Sequence, residues 1–401
     1  MAPRKLLIMS DAPTSSTGLG RITRELAIRI HENLSDVIKV GTFGFGGPHS
    51  RHLPYYNNQI HRLDNWIAPE LPMIWRDFAG DEKGILLAIW NPVWLPWLAN
   101  PSSLPPSGLR DFLTDPPFEK WIYAPIDAEG VGGKLQERIK NTLGGFDRVL
   151  AYTDWAAHII AESMYPGHDE GETIDYLPHG IDRGLFYPRD ASEARNNFIQ
   201  SVSGRHTTRL KDDIKIVGIV ATNSARKDWA LGFEACASLL RDGENIGVWA
   251  HTDYYQNHWD LVGMANEFGL ARRVIFTNSS LNDDTMATYY SACDVTMAIG
   301  SGEGFGYPIA ESLACGTPVV HGWYAGGAEM VPQKFLVDPI GYRWDGGPYF
   351  AKRPVFDAEE WALTASKAMV HKSTESLLDP QYYWENLWPR WAEWLTEGVN
   401  G

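Results

Sequence analysis

Cysteine is scarce: three in 401 residues, Cys236, Cys293 and Cys315, scattered and with no close pair. That excludes a disulfide framework and a Cys-based zinc site, and suggests buried thiols in a reducing cytoplasm. Long apolar runs are missing too; none reaches the roughly 18 residues that a membrane-spanning helix requires. The N-terminus carries basic residues and then Leu6-Leu7-Ile8-Met9, but Asp11 and Pro13 cut the run short. It reads as a first buried strand rather than a secretory leader. Positive charge is outweighed, with a formal net charge of −15. The chain lacks the global basic footprint of non-specific nucleic-acid or anionic-membrane binders, although a local basic groove stays compatible with that balance. No acidic pair stands in a metal-binding context; Asp212-Asp213 and Asp283-Asp284 begin structural elements and read as caps or turns.

Hydrophobic residues make up 44% and charged residues 21%, the balance of a folded globular chain. Its length exceeds one ordinary core, so two domains are expected. Two series of strands alternating with helices appear. The first holds strands at 5–9, 37–41, 84–89, 120–124, 148–151 and 174–177, with helices at 21–32 and 155–163. The second holds strands at 215–220, 247–251, 274–277 and 295–299, with helices at 228–240, 259–268 and 284–292. Strands separated by helices of this length make parallel sheets with right-handed crossovers, and ligands then bind at the carboxyl ends of the strands. The expected division is an N-terminal domain at 1–190, a linker at 191–212, a second domain at 213–375 and a C-terminal helix at 376–401 that returns to the first domain. In that tail Trp384, Trp388, Trp391 and Trp394 share one helical face, and Pro389 is expected to kink or split the helix. The proline-broken aromatic run 90–97 reads as a loop lining or underlying a cleft.

The richest segment is Ser301-Gly302-Glu303-Gly304-Phe305-Gly306-Tyr307-Pro308-Ile309-Ala310-Glu311, between the strand at 295–299 and a short helix ended by Gly316-Thr317-Pro318. Glycines let a backbone approach a ligand, and the first N–H groups of a helix favour anions. Glu303 and Glu311 cannot bind phosphate, but carboxylates accept strong hydrogen bonds from sugar hydroxyls. Phosphate donors beside hydroxyl acceptors suit a nucleotide sugar. After the first strand of the second series stand Asn223, Arg226 and Lys227, just before a helix. An arginine fork and a lysine point charge there would stabilise the charge that develops on a departing diphosphate. After the very first strand come Gly18, Gly20 and Arg21, without the third glycine of a dinucleotide fingerprint. Asp127 ends a strand of the first series, and His179 lies in Leu177-Pro178-His179-Gly180. Asp127 is a candidate acceptor contact or base, and His179 is as readily a packing residue as a site residue.

The segment from Glu303 through Gly304-Phe305-Gly306, Pro308 and Glu311 to Ala314-Cys315-Gly316-Thr317-Pro318-Val319-Val320 resembles the donor signature of glycosyltransferase family four. The resemblance covers most of the chain and is strongest from Val217 to Glu329, and the compact start Asp11-Ala12-Pro13-Thr14 resembles phage-encoded members. It implies a GT-B fold, two doubly wound Rossmann-like domains facing across a cleft. It further implies metal-independent, retaining transfer of a hexosyl or pentosyl group from a nucleoside-diphosphate sugar to a hydroxyl acceptor, with no cofactor beyond that donor. Carried over residue by residue, Arg226 and Lys227 hold the diphosphate, Glu303 lies by the sugar and Glu311 accepts from the ribose. Asn223, Gly18, Gly20, Gly304, Phe305 and Gly306 line the donor site, while Arg21, Asp127 and His179 face the acceptor. The acceptor is left open: a small molecule, a glycan or a hydroxylated base in phage DNA. Open alternatives are a nucleotide-sugar epimerase, a phosphorylase-like enzyme and a non-catalytic sugar-nucleotide binder.

Overall fold

The computed structural model describes residues 2–400 except 49, 51, 61–66, 167–172, 203–213, 254–256, 279–280 and 347–349. It divides into two compact units: residues 1–179, 346–351 and 387–401 in the first, and 180–345 with 352–386 in the second.

The first unit runs β1 (Arg4–Asp11), α1 (Gly18–Leu34), β2 (Ile38–Phe45), β3 (Tyr56–Ile60), α2 (Leu71–Ala79), β4 (Gly84–Ala88), α3 (Pro96–Ala99), α4 (Gly108–Thr114), β5 (Phe118–Ala124), α5 (Glu137–Leu143), β6 (Arg148–Ala151), α6 (Asp154–Met164) and β7 (Asp175–Tyr176). Its seven strands are all parallel, in the order β3-β2-β1-β4-β5-β6-β7. The central strands read as unbroken apolar runs because helices cover both faces; Leu6, Leu7, Ile8 and Met9 of β1 have no exposed surface. The aromatic run 90–97 is mostly core: Trp90 stacks on Phe45 with centroids 4.6 Å apart, and Trp97 is buried. The polar edge strand β3 and the helices α2, α4 and α5 were not legible in the sequence.

The second unit runs α7 (Ala191–Val202), β8 (Lys215–Val220), α8 (Trp229–Arg241), β9 (Ile246–His251), α9 (Leu261–Glu267), β10 (Val274–Thr277), α10 (Asp283–Ala292), β11 (Val295–Ala298), α11 (Tyr307–Ala314), β12 (Val319–Gly322), β13 (Leu336–Val337), β14 (Gly341–Trp344), β15 (Lys352–Val355) and α12 (Ala358–Met369). Six parallel strands lie in the order β10-β9-β8-β11-β12-β13, and β14 pairs antiparallel with β15 as a hairpin. Part of the expected linker is helical: α7 seats Phe198 against Trp249 and Tyr289. The rest of it, 203–212, and with it Asp212-Asp213, lies outside the described residues. The three cysteines are buried and unbridged, as expected, and burial pushes the Cys236 and Cys315 thiols up to about 12.

The last helix, α13 (Trp384–Asn400), is one element with Pro389 inside it, which corrects the expected split. The carbonyl that Pro389 leaves without an N–H belongs to Glu385, an exposed residue, so water can satisfy it. Trp388 sits at the margin; Trp384, Leu387, Trp391, Trp394 and Leu395 form the buried stripe. Within the first unit Trp391 meets Tyr123 edge-on at 5.0 Å and Trp394 meets Trp121 at 5.0 Å. Arg148 lies over the Trp394 ring and donates to its carbonyl at 2.7 Å.

Candidate functional site

In each sheet the chain leaves a central strand on one side and later returns on the other, β1 beside β4 and β8 beside β11. Such switch points open ligand sites at the strands' carboxyl ends. Gly18, Gly20 and Arg21 follow β1, Asn223, Arg226 and Lys227 follow β8, and Glu303 to Glu311 follow β11.

In the second unit the turn after β8 is stitched to the turn after β11. Asp228 N donates to Ile299 O at 3.0 Å, Ser301 N donates to Arg226 O at 2.8 Å, and Lys227 and Gly300 form an isolated antiparallel bridge. Asp228 caps α8 by accepting from Leu231 N. The stitching sets both cations on one carboxylate. Arg226 Nη1 lies 3.3 Å from Glu303 Oε1 and donates to Gly302 O at 2.9 Å, while the Lys227 ammonium pairs with the same Oε1. The Lys227 and Glu303 side chains are only 9% and 11% exposed, whereas Arg226 keeps 35%. Gly306, at φ +94°, is the N-cap of α11; a side chain there would be strained and would press on Ile309. Gly304 is partly exposed, but the Phe305 ring is buried between Tyr307 and Tyr382, so Phe305 contributes backbone and packing.

Glu311, one turn into α11, accepts from the Tyr290 hydroxyl at 2.9 Å, and both residues are buried. Burial and the Glu311 carboxylate hold the Tyr290 phenol well above its usual range. Asn223 also has a structural role. Its side chain accepts from Trp259 N and donates to Trp259 O, each at 2.8 Å, and its own N donates to Asp253. It braces the loop behind the turn.

Two neighbours, His321 and Arg353, escaped the sequence reading as site residues, and Gly327 lies beside His321. His321, at the end of β12, is buried, with Nδ1 2.7 Å from Ala298 O and Nε2 without a hydrogen-bond partner among the described residues. Burial takes it down to about 4, so it is neutral at pH 7. Gly327 donates to Glu303 O at 3.1 Å, and a Cβ there would lie 2.9 Å from Glu303 Cβ and 3.1 Å from His321 Nε2. Arg353 of the hairpin is buried, with Nε 3.2 Å from Asp345 and Nη1 3.5 Å from Ser301 O. Nothing in the sequence ties the hairpin to the glycine-rich turn. Just before Gly326, Ala325 takes φ 62° and ψ −177°, a conformation that glycine alone adopts readily. His251, by contrast, is held structurally by Thr277 Oγ1 at 2.8 Å, and burial lowers it to about 4.

In the first unit Thr17 caps α1, accepting from Gly20 N at 3.1 Å and donating to Asp11 Oδ2 at 2.5 Å. Gly18 is exposed in the first turn. Gly20 is glycine because the chain folds back on itself: a Cβ would lie 2.6 Å from Ala12 O. Arg21 is buried and its Nε binds Glu25 at 2.8 Å. His179 Nδ1 is 2.7 Å from the Tyr123 hydroxyl, which donates to Leu177 O. Burial, reinforced by Arg21, pushes His179 well below its usual range. Asp127 stands apart, partly exposed in a small recess with Asn91, Ile126, Leu135, Ile139 and Ala351. Asp11, which also ends a strand, is raised by burial and held by Thr17 and the Trp90 indole. The argument that singled out Asp127 applies equally to Asp11.

Comparison with known proteins matches residues 214–340 to the family described as glycosyl transferases group 1. That stretch is about a third of the chain, and its likeness to the family supports a glycosyltransferase enzyme. The D-inositol 3-phosphate glycosyltransferase of Actinosynnema mirum is 28% identical over 181 residues, 43% of this chain and 40% of that protein. The enzyme of the same name from Mycobacterium tuberculosis is 29% identical over 180 residues, 43% of this chain and 33% of that protein. The matched part thus spans less than half the length of these curated relatives. Fold similarity reaches further. Sucrose-phosphate synthase from Thermosynechococcus elongatus has a TM-score of 0.67 at 17% identity, covering 98% of both chains. HepE of Anabaena, solved with UDP and glucose, has a TM-score of 0.65 at 15% identity, covering 98% of this chain and 100% of its own. The architecture, two Rossmann-like parallel-sheet units, is that of these GT-B glycosyltransferases. Among the described residues no helix is long and apolar enough to cross a membrane.

Proposed function

We propose that this protein transfers a sugar from a nucleoside-diphosphate sugar to a hydroxyl acceptor, with retention and without a metal. One observation carries the reading: within the stretch similar to group 1 glycosyl transferases, two adjacent cations and a glycine-rich helix start converge on Glu303. Arg226 and Lys227 take the diphosphate, the backbone of 304–306 lines it, Glu303 accepts from the sugar hydroxyls, and Glu311, oriented by Tyr290, accepts from the ribose. The bond from the anomeric carbon to the donor phosphate breaks as the bond to the acceptor oxygen forms on the same face. The acceptor proton passes to a phosphate oxygen, and the two cations stabilise the charge that the leaving diphosphate gains. This route needs no covalent nucleophile. Gly18, Arg21, Asp127 and His179 serve the acceptor side.

The test is turnover of UDP-, GDP-, ADP- and TDP-glucose with a panel of polyol, sugar and hydroxymethylated-DNA acceptors, chelator present. The reading expects nucleoside diphosphate and an acceptor glycoside in equal amounts, with the donor's anomeric configuration. Release of free epimerised sugar, or a requirement for inorganic phosphate, would replace it with an epimerase or a phosphorylase.

A further inference from the structure

Glu303 has a second task in the geometry. Its carboxylate is buried, and its cationic partners among the described residues are Arg226 and Lys227 alone. The histidine beside it supplies no charge: His321 is neutral, with Nδ1 turned to Ala298 O. The nearby Arg353 guanidinium is directed to Asp345 and the Ser301 carbonyl. We infer that Glu303 stands in for the donor's diphosphate on Lys227, and that exchange between the two sets the preference for sugar-bearing nucleotide over nucleoside-diphosphate product. The inference rests on the donor-site reading above and deepens it.

A diphosphate bound by Arg226 and Lys227 competes with Glu303 for the same ammonium. A buried carboxylate deprived of its cation is strongly unfavourable unless new donors reach it. A sugar attached to the diphosphate brings those donors, hydroxyls that give charge-assisted bonds to the freed carboxylate. A nucleoside diphosphate alone brings none, so Glu303 regains Lys227 and the product is displaced. One carboxylate thereby raises selectivity for the donor and hastens release of the product.

The experiment is calorimetric titration of UDP, GDP, ADP and TDP, and of their glucose conjugates, into the wild-type protein and Glu303→Gln. The glutamine keeps the shape and gives up the competition. The expected result is about tenfold tighter binding of the preferred nucleoside diphosphate, with the advantage of the sugar conjugate falling by about tenfold or more. Adding Glu303→Gln to a Lys227→Met background should then give a smaller gain than in wild type, because of the two contested cations only Arg226 remains. Should Glu303→Gln fold poorly, Glu303→Asp, which withdraws the carboxylate by one methylene, tests the same sign. A folded variant that binds the nucleoside diphosphate no tighter than wild type overturns the exchange and leaves the donor site standing. A wild-type protein that binds none of the eight ligands overturns the donor-site reading and the exchange with it.

Discussion

The turns after β1 and after β8 occupy the same place in two sheets of matching strand order, and each holds a buried ion pair. In the first turn Arg21 pairs with Glu25, four residues along the same helix. In the second, Lys227 pairs with Glu303, brought from the far side of the switch point by the bridge to Gly300. The burial is alike, 10% and 12% exposure against 9% and 11%. A local pair stiffens one helix start. A pair that joins two turns couples them, and anything that competes for one member is felt by both. The difference separates a turn held within one helix from a turn held across the switch point.

The largest effect should come from breaking the second pair. Lys227→Met leaves Glu303 buried without its ammonium and should cost about 3–5 kcal/mol of stability. It should also lower transfer about 100- to 1,000-fold through the lost leaving-group cation. Arg21→Met should destabilise without changing nucleotide affinity; denaturant melts beside donor titrations separate the two.

Acid is the next lever and falls on the second unit. His251 and His321 are each held near 4 by burial, against an ordinary 6.5. A folded-state value below the unfolded one means that the unfolded chain binds more protons between them. Stability is therefore full above about pH 6.5 and declines as pH falls toward 4, by about 2 kcal/mol per histidine at pH 5. Melting curves at pH 7.5, 6 and 5 should show this, and His321→Asn should shrink the slope. His179 acts in the same direction in the first unit.

Gly20→Ala should cost about 1–3 kcal/mol, because its Cβ would meet the Ala12 carbonyl, a backbone atom that cannot rotate away. The loss should appear in thermal melts with donor affinity unchanged, whereas a ligand-contacting glycine would lose affinity first. Smallest is Thr17→Ala, which removes the α1 cap and should cost about 1 kcal/mol, read by the same melts.

The sequence revealed what repeats locally. Continuous apolar strands such as Leu6 to Met9 announced the two sheets, and the glycine-rich turn at 301–306 announced the connection from β11 to α11. It concealed what depends on a distant neighbour. Edge strand β3 is polar, Asn57-Asn58-Gln59, because an edge needs no second apolar face. That Asn223 braces Trp259 and that the Phe305 ring packs inward is likewise hidden in the sequence. Tyr290 and Arg353 matter through contacts with Glu311 and Ser301 that only folding creates, and His321 through its bond to Ala298 O and its place beside Gly327. That Pro389 does not split its helix was hidden because the exposure of Glu385 is invisible in sequence.

The most direct test of the donor site is thermal stabilisation by nucleoside diphosphates and their sugars, with chelator present. Wild type runs beside Glu311→Ala and an Arg226→Ala/Lys227→Ala variant. At about 100 times the dissociation constant a ligand should add about 2.7 kcal/mol. The account predicts one preferred nucleotide whose stabilisation is lost in both variants. A wild-type protein that no nucleotide stabilises would contradict it.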